Sequence, residues 1–275
     1  LTLRAAAAYL FAAVSRDDAS TSYAFRDSAV ASARLAGVAR MFAPATGALL
    51  ARVPSRRRAR LVDLGCGPGH TTRLLAETFR DARVIGVDRS DAFLAEARRN
   101  VADCEFACVD VTAADLPGTP ADLVYARFVL SHLPRRDAVV RGWFEALAPG
   151  GALVVEEVEW IATEDDVFRR YLEITRGLIA HHGGDLYTGA DLGAAADGLG
   201  GCVACNAVLP FAVSTGDAAT LFGMNLSAWR DDPWVGARLD TDGVARLADG
   251  LEARRAASDR ETIRWGLRQV IAERG

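Results

Sequence analysis

The residues of this chain best able to do chemistry recur at regular intervals in its first half. The run VDLGCGPGHTT, residues 62–72, sets Gly65, Gly67 and Gly69 two apart, with Cys66 between the first pair and Asp63 just before them. Glycine adopts backbone angles closed to other residues and lets a ligand approach the main chain closely. A helix that starts after such a loop offers unpaired N–H groups. Asp63 can orient the loop or accept from a cationic ligand group. Asp88, followed by Arg89 and Ser90, ends a second apolar run. An acid about 25 residues after Asp63 can accept from both hydroxyls of a ribose. Asp110 and Val111 close a third run, CVDV. A carboxylate beside an apolar residue suits the edge and the face of an adenine. The three stations together describe a nucleotide-bearing ligand laid across strand ends.

A second group of residues could move a proton. His132 lies in LSHLP, after a fourth apolar run, and His181 and His182 lie in the polar loop IAHHGGDLY. Neutral histidine suits general-base work near pH 7. Glu156, Glu157 and Glu159 follow a fifth run. Alternation on an extended chain puts Glu157 and Glu159 on one face and Glu156 on the other. If a base is required, it comes from His132, His181, His182 or Glu157; the alternatives are a structural role for His132, solvent-exposed loop histidines for His181 and His182, and solvent-facing or arginine-paired charge for the glutamates. The CVAC run invites a metal or redox reading, but Cys202 and Cys205, three apart on a strand, point to opposite faces. No second pair completes a zinc site. No metal site is expected, HHGGD being the one faint divalent-cation alternative. Tyr23, Phe25, Trp160, Tyr187, Phe222, Met224, Trp229 and Trp234 could roof an apolar ligand or serve as ordinary core.

These residues need a scaffold, and the pattern supplies one. Short apolar strands alternate with helices from Arg60: ARLVDLG, HTTRLLAETF, ARVIGVD, SDAFLAEARRN, CEFACVDV, ADLVYARFVL, a helix over 134–147, and ALVVEEVEW. Such alternation predicts an α/β fold, a mostly parallel, doubly wound sheet with helices on both faces. The active site then lies at the carboxyl ends of the strands. Before it, residues 3–53 read as helix, interrupted at Pro44 and followed by PSRRRAR as a solvated linker, with a phosphate-binding patch as the lesser alternative. After it come a helix within 160–188, a helix over 189–199 and a sixth strand, CVACNAVLPFAV. Helical pattern over 215–257 is broken by DDPW and DTDG. The tail TIRWGLRQVIAERG reads as a last strand, with a helix as the alternative. One domain over 1–275 is expected: a helical cap at 1–53, a ligand-binding core at 60–158, and the remaining sheet with helical insertions at 159–275.

Composition excludes several chemistries. All 32 basic residues are arginine. Without lysine there is no pyridoxal Schiff base, Walker-type phosphate loop or kinase ATP clamp. A net charge of -4 argues against general nucleic-acid binding. Five scattered cysteines do not form a disulfide scaffold. No run approaches the roughly 20 apolar residues of a membrane span. A cytoplasmic protein without nucleic-acid or membrane partners is expected, as a monomer or homodimer.

Taken in order, LVDLGCGPG, VIGVDRS, CVDVTAADLP, ADLVYARFVLSHLP and LAPGGALVVEE resemble the class I S-adenosylmethionine-dependent methyltransferases over residues 60–158. The resemblance implies a Rossmann-like seven-stranded sheet, order 3-2-1-4-5-7-6, with the last strand antiparallel. It implies that Asp63 and Gly65 to Gly69 cradle the methionine part of S-adenosylmethionine, Asp88 the ribose and Asp110 the adenine amino group. Ala126 and Arg127 would give backbone contacts, and Tyr23 in the N-terminal helices would close over the cofactor. A dinucleotide fingerprint fits less well, because the third glycine comes two residues after the second. No Asn/Asp-Pro-Pro-aromatic motif follows the fourth strand, against DNA base work. The expected function is methyl transfer to an O, N or C atom of a small molecule. The alternatives are a nucleic-acid or protein methyltransferase, or a non-catalytic or nicotinamide-binding relative. The lysine-free, alanine- and arginine-rich composition suggests a high-GC bacterium and specialised metabolism.

Overall fold

A computed structural model of the chain describes residues 29–54, 58–256 and 262–275. Tyr23 and Phe25 lie outside the described residues. The alternating core begins with β1 (Arg60–Leu64), α2 (His70–Thr78), β2 (Arg83–Asp88), α3 (Asp91–Asn100) and β3 (Glu105–Cys108). It continues with β4 (Ala121–Arg127), a 3-10 turn over Leu130–His132, α4 (Arg136–Glu145) and β5 (Leu147–Ala162). The seven strands form one sheet in the order β3-β2-β1-β4-β5-β7-β6. β6 is Cys202–Ser214 and β7 is Thr262–Glu273. β7 runs antiparallel to both β5 and β6, so the tail is strand and not helix.

Side-chain alternation decides what each face receives. Leu61, Leu123, Tyr125 and Val154 point to one face, where they meet Leu49, Leu50 and Leu75. Val62, Leu64, Val124 and Leu153 point to the other, against Trp143, Phe144 and Leu192. The same alternation sends Glu156 and Glu157 to opposite faces, both buried. A third apolar cluster lies beyond the parallel core. It joins α5 (Asp166–His181), α7 (Thr215–Trp229) and α9 (Thr241–Arg255) to the far ends of β5, β6 and β7. The short helices α6 (Gly189–Asp197) and α8 (Pro233–Gly236) complete the set.

Two sequence expectations give way to packing. The first described helix, α1 (Ala29–Leu50), continues through Pro44. The proline ring is exposed, and beyond it Thr46, Leu49 and Leu50 are buried, so tertiary contact outweighs one lost N–H. The basic run is not simply a solvated linker. Arg58 is buried, and its guanidinium donates to the carbonyls of Asp122 (2.6 Å) and Gly150 (3.1 Å). Ser55, Arg56 and Arg57 lie outside the described residues.

Candidate active site

β1 ends in a loop that only glycine can form. Gly65 and Gly67 have φ of 65° and 51°. A Cβ on Gly65 would sit 2.6 Å from Val129 Cγ2. The Gly67 N–H donates to Asp88 Oδ2 at 2.9 Å, and the Ser90 N–H to Asp88 Oδ1 at 2.9 Å. One carboxylate at the end of β2 therefore ties the glycine loop to the start of α3. A carboxylate oxygen accepts more than one bond, so this bracing does not exhaust Asp88. After β3, exposed Asp110 takes the N–H and hydroxyl of Thr112 at 2.8 and 2.7 Å. Both acids are thus aimed by residues two positions away.

Asp63 is buried under the glycine loop. Its Oδ2 accepts from Thr71 (2.7 Å) and Thr72 (2.6 Å), while Oδ1 has no hydrogen-bond partner. Burial pushes this carboxyl up to about 6, against the Thr72 and Thr71 hydroxyls and the Arg127 charge. His70 opens α2, and its Nε2 is likewise buried without a partner. Burial and then the Arg73 charge lower its pKa from the ordinary histidine value. Burial also pushes the Cys66 thiol up, so it is no nucleophile.

The loop after β4 is held under strain. Phe128 has φ of 59°, unfavourable for a bulky residue. Its N–H donates to the Glu156 carbonyl at 3.0 Å. The next two N–H groups, of Val129 and Leu130, both donate to Glu157 Oε1 at 2.8 and 2.7 Å. Thr188 bonds the other Glu157 oxygen at 3.0 Å. Burial pushes Glu157 up to about 7, opposed by those three donors and the Arg136 charge. On the opposite face Glu156 accepts from Thr46 (2.6 Å), Tyr125 (2.8 Å) and Gln269 (2.8 Å). Arg127 Nη1 donates to the same Thr46 hydroxyl at 3.1 Å, which ties its guanidinium to α1.

These pieces meet around a cleft of about 570 Å³ at the carboxyl ends of β1, β2, β3 and β4. Gly65, Cys66, Gly67, Asp88, Arg89, Asp110, Val111, Arg127 and His132 line it together. Asp63 lies beneath the loop, and Gly69 and Ala126 are not among the lining residues. His132 is half-buried; burial and the Arg34 and Arg89 charges push it down to about 4, so it is neutral at pH 7. The other three candidate bases stand elsewhere. Glu157 is committed to the strained loop. His181 is exposed and stacks on Trp234, ring centroids 6.0 Å apart. His182 Nε2 lies 3.1 Å from Asp232 Oδ2.

Sequence reasoning missed part of the lining: His70, Thr71, Ser90, Phe93 and Leu133, and Leu35, Val38 and Ala39 of α1. His70 carried a local signal, as the first residue after the third glycine. The α1 residues carried none, since their role depends on how that helix packs. Among the described residues, no group of three or more His, Cys, Asp or Glu could hold a metal ion, HHGGD included.

Comparison with known proteins places this geometry. The family model described as a methyltransferase domain matches residues 61–151. The trans-aconitate 2-methyltransferase of Variovorax paradoxus is 44% identical over 108 residues, 39% of this chain and 42% of that protein. The chain thus spans about two fifths of the length of the curated relatives it matches. A solved Bacillus halodurans structure, covered to 98% by 83% of this chain, gives a TM-score of 0.56 at 18% identity. An O-methyltransferase family protein from Burkholderia thailandensis gives 0.53 at 14% identity, over 90% of this chain and 60% of that one. At such identities the two structures show a shared fold. Residues 61–151, with the glycine loop, both strand-end acids and the loop after β4, are therefore similar to a methyltransferase domain.

Proposed function

We propose that this chain transfers the methyl group of S-adenosylmethionine to a small organic acceptor. The observation that carries the reading is the convergence of the glycine loop, Asp88 and Asp110 on one cleft at the strand ends. The unpaired buried atoms Asp63 Oδ1 and His70 Nε2 beside the glycine cradle fit such a cofactor. Bound there, it supplies a sulfonium methyl that needs no further activation.

The chain's own residues bind and align. Asp88 accepts from the ribose hydroxyls and Asp110 from the adenine amino group. Val111 and Phe93 offer apolar surface to the ring. Asp63 and the Arg127 backbone serve the methionine end. His132 is the one candidate base in the cleft, and it is too weakly basic at about 4 to be an efficient one at pH 7. In this reading it orients the acceptor, and rate comes mainly from alignment.

The acceptor-side helices α1, α5, α7, α8 and α9 fall outside the matched 61–151, so the relatives' acceptor does not carry over with the domain. The net charge of -4 favours a small molecule over nucleic acid. No described helix is long and apolar enough to cross a membrane. On composition, the acceptor we have in view is a cytoplasmic intermediate of bacterial specialised metabolism. The test is incorporation of a radiolabelled methyl group into separate pools of nucleic acid, peptide and small metabolites. Label in the small-metabolite pool supports the reading; label confined to either other pool overturns it.

A further inference from the structure

The turn that carries Asp110 stands on the least supported strand of the sheet. β3 lies at one edge, is the shortest strand at four residues, and has no buried side chain. Past its end, Asp110 to Ala113 close a tight turn through the Ala113 N–H and the Asp110 carbonyl at 2.9 Å. Thr112 holds the Asp110 carboxylate within that turn. Bonds inside a turn fix its shape and not its place in the molecule. Two bonds from outside do that. The Val109 N–H donates to the Asp88 carbonyl at 3.0 Å, which ties the turn to the end of β2. From α4, the Trp143 indole N–H donates to the Val111 carbonyl at 2.8 Å.

Trp143 is 1% exposed and shares an apolar cluster with Val111, Leu116, Val140 and Phe144. Packing alone would be served there by any large apolar ring. The indole adds an N–H, and its partner is a main-chain carbonyl of a cleft residue directly after Asp110. Trp265 is also buried, but its Nε1 has no hydrogen-bond partner. Without the Trp143 N–H the buried Val111 carbonyl would stand unpaired, and the turn would gain by shifting toward another donor.

The placement matters because neighbouring positions on a purine differ in hydrogen-bond sense. In the methyl-transfer reading, on which this inference rests, Asp110 accepts from the 6-amino group of adenine. Hypoxanthine carries a carbonyl oxygen at that position and offers its hydrogen one ring atom away, at N1. A carboxylate fixed opposite position 6 meets a donor on adenine and a second acceptor on hypoxanthine. A carboxylate free to move finds the N1 hydrogen and loses the distinction. We propose that Trp143 is the positioning residue for adenine recognition: by holding the Val111 carbonyl it keeps Asp110 opposite the 6-amino group.

The test is a comparison of two ligands. S-adenosylhomocysteine and its 6-oxo analogue S-inosylhomocysteine are titrated calorimetrically into the full chain and into Trp143→Phe and Trp265→Phe. Wild type should prefer S-adenosylhomocysteine by about tenfold or more, the scale of one hydrogen bond to a charged group. Trp143→Phe keeps a large ring and removes the N–H; its preference should fall to about threefold or less, chiefly through weaker S-adenosylhomocysteine binding. Trp265→Phe removes an indole N–H that bonds nothing and should keep the wild-type preference. General loosening of the fold would weaken both ligands alike and leave their ratio unchanged. A proton–nitrogen NMR spectrum of the indole groups needs no variant: the Trp143 signal should shift when S-adenosylhomocysteine binds wild type. Equal affinity of wild type for the two ligands, undiminished preference in Trp143→Phe, equal loss in Trp265→Phe, or an unmoved Trp143 signal overturns the proposal and leaves the methyl-transfer reading in place. Absence of S-adenosylhomocysteine binding to wild type overturns that reading, and this proposal with it.

Discussion

Asp88 and Asp110 are each aimed by a backbone N–H two residues ahead, whereas Tyr171, Thr175, Asn225 and Trp229 are brought together by helices some fifty residues apart in sequence, as the Tyr171–Asn225 bond records. In the first region the strand end, the turn and the acid form one local unit. In the second, each residue alone reads as ordinary helix core, and its polarity acquires meaning only when α5 meets α7. The family model falls on the first region and stops at residue 151, before α5 begins. The strand-end acids are therefore set by local structure inside the matched segment, and the α5–α7 contact by packing outside it.

The largest effect is expected where the cofactor side is most constrained. Gly65→Ala places a Cβ 2.6 Å from Val129 Cγ2 on a backbone with φ of 65°. It should cost about 2–4 kcal/mol of stability by chemical denaturation. A cost too small to measure would mean that the loop is looser than its geometry requires.

A comparable effect should appear in the pH dependence of stability. Glu157 is raised from the ordinary 4.5 to about 7, so its folded pKa exceeds its unfolded one. Its contribution is fully present below about pH 4.5 and is lost as pH rises through about 7. The loss is on the order of 3 kcal/mol. Asp63, raised to about 6, acts in the same direction over a lower window. Glu157→Gln keeps an oxygen for the Val129 and Leu130 N–H groups and removes the buried charge. The variant should show a flatter stability profile between pH 4.5 and 8; a profile as steep as wild type would assign the pH dependence elsewhere.

A smaller effect tests how the two regions join. His132→Ala should reduce turnover at saturating cofactor by less than about 10²-fold and leave S-adenosylhomocysteine affinity intact, with no activity transition above pH 5. A loss of about 10³–10⁴-fold would restore His132 as the base. Smallest of all is His181→Ala. The exposed ring stacks on Trp234 and does not line the cleft. Stability should change by less than about 0.5 kcal/mol and turnover should stay near wild type; a large loss of turnover would bring the HHGGD loop into the site.

The same contrast explains how much could be read from sequence. The first five strands were legible because buried parallel strands show as apolar runs, while the tail left helix open until its pairing between β5 and β6 settled it as strand. The cleft acids were legible because each closes an apolar run, Asp88 at the end of β2 and Asp110 two residues past β3. Pro44 misled because a proline rule is local, while Thr46 and Leu49 hold the helix beyond it through distant partners. Glu157 stood out as an acid in an otherwise apolar strand run. Only the structure separates a carboxylate facing a ligand from one bonding the Val129 and Leu130 N–H groups. The strain at Phe128 left no trace in a residue type that ordinarily avoids positive φ.

The central claim is that the cleft holds S-adenosylmethionine through its strand-end acids. The most direct measurement is calorimetric titration of S-adenosylhomocysteine into wild type and Asp88→Ala, with NADH as a control. Wild type should bind S-adenosylhomocysteine and not NADH. Asp88→Ala should bind it about 10–100-fold more weakly, the scale of a lost hydrogen bond to a charged group. Equal affinity in the two proteins, or NADH binding as well as S-adenosylhomocysteine, would contradict the account.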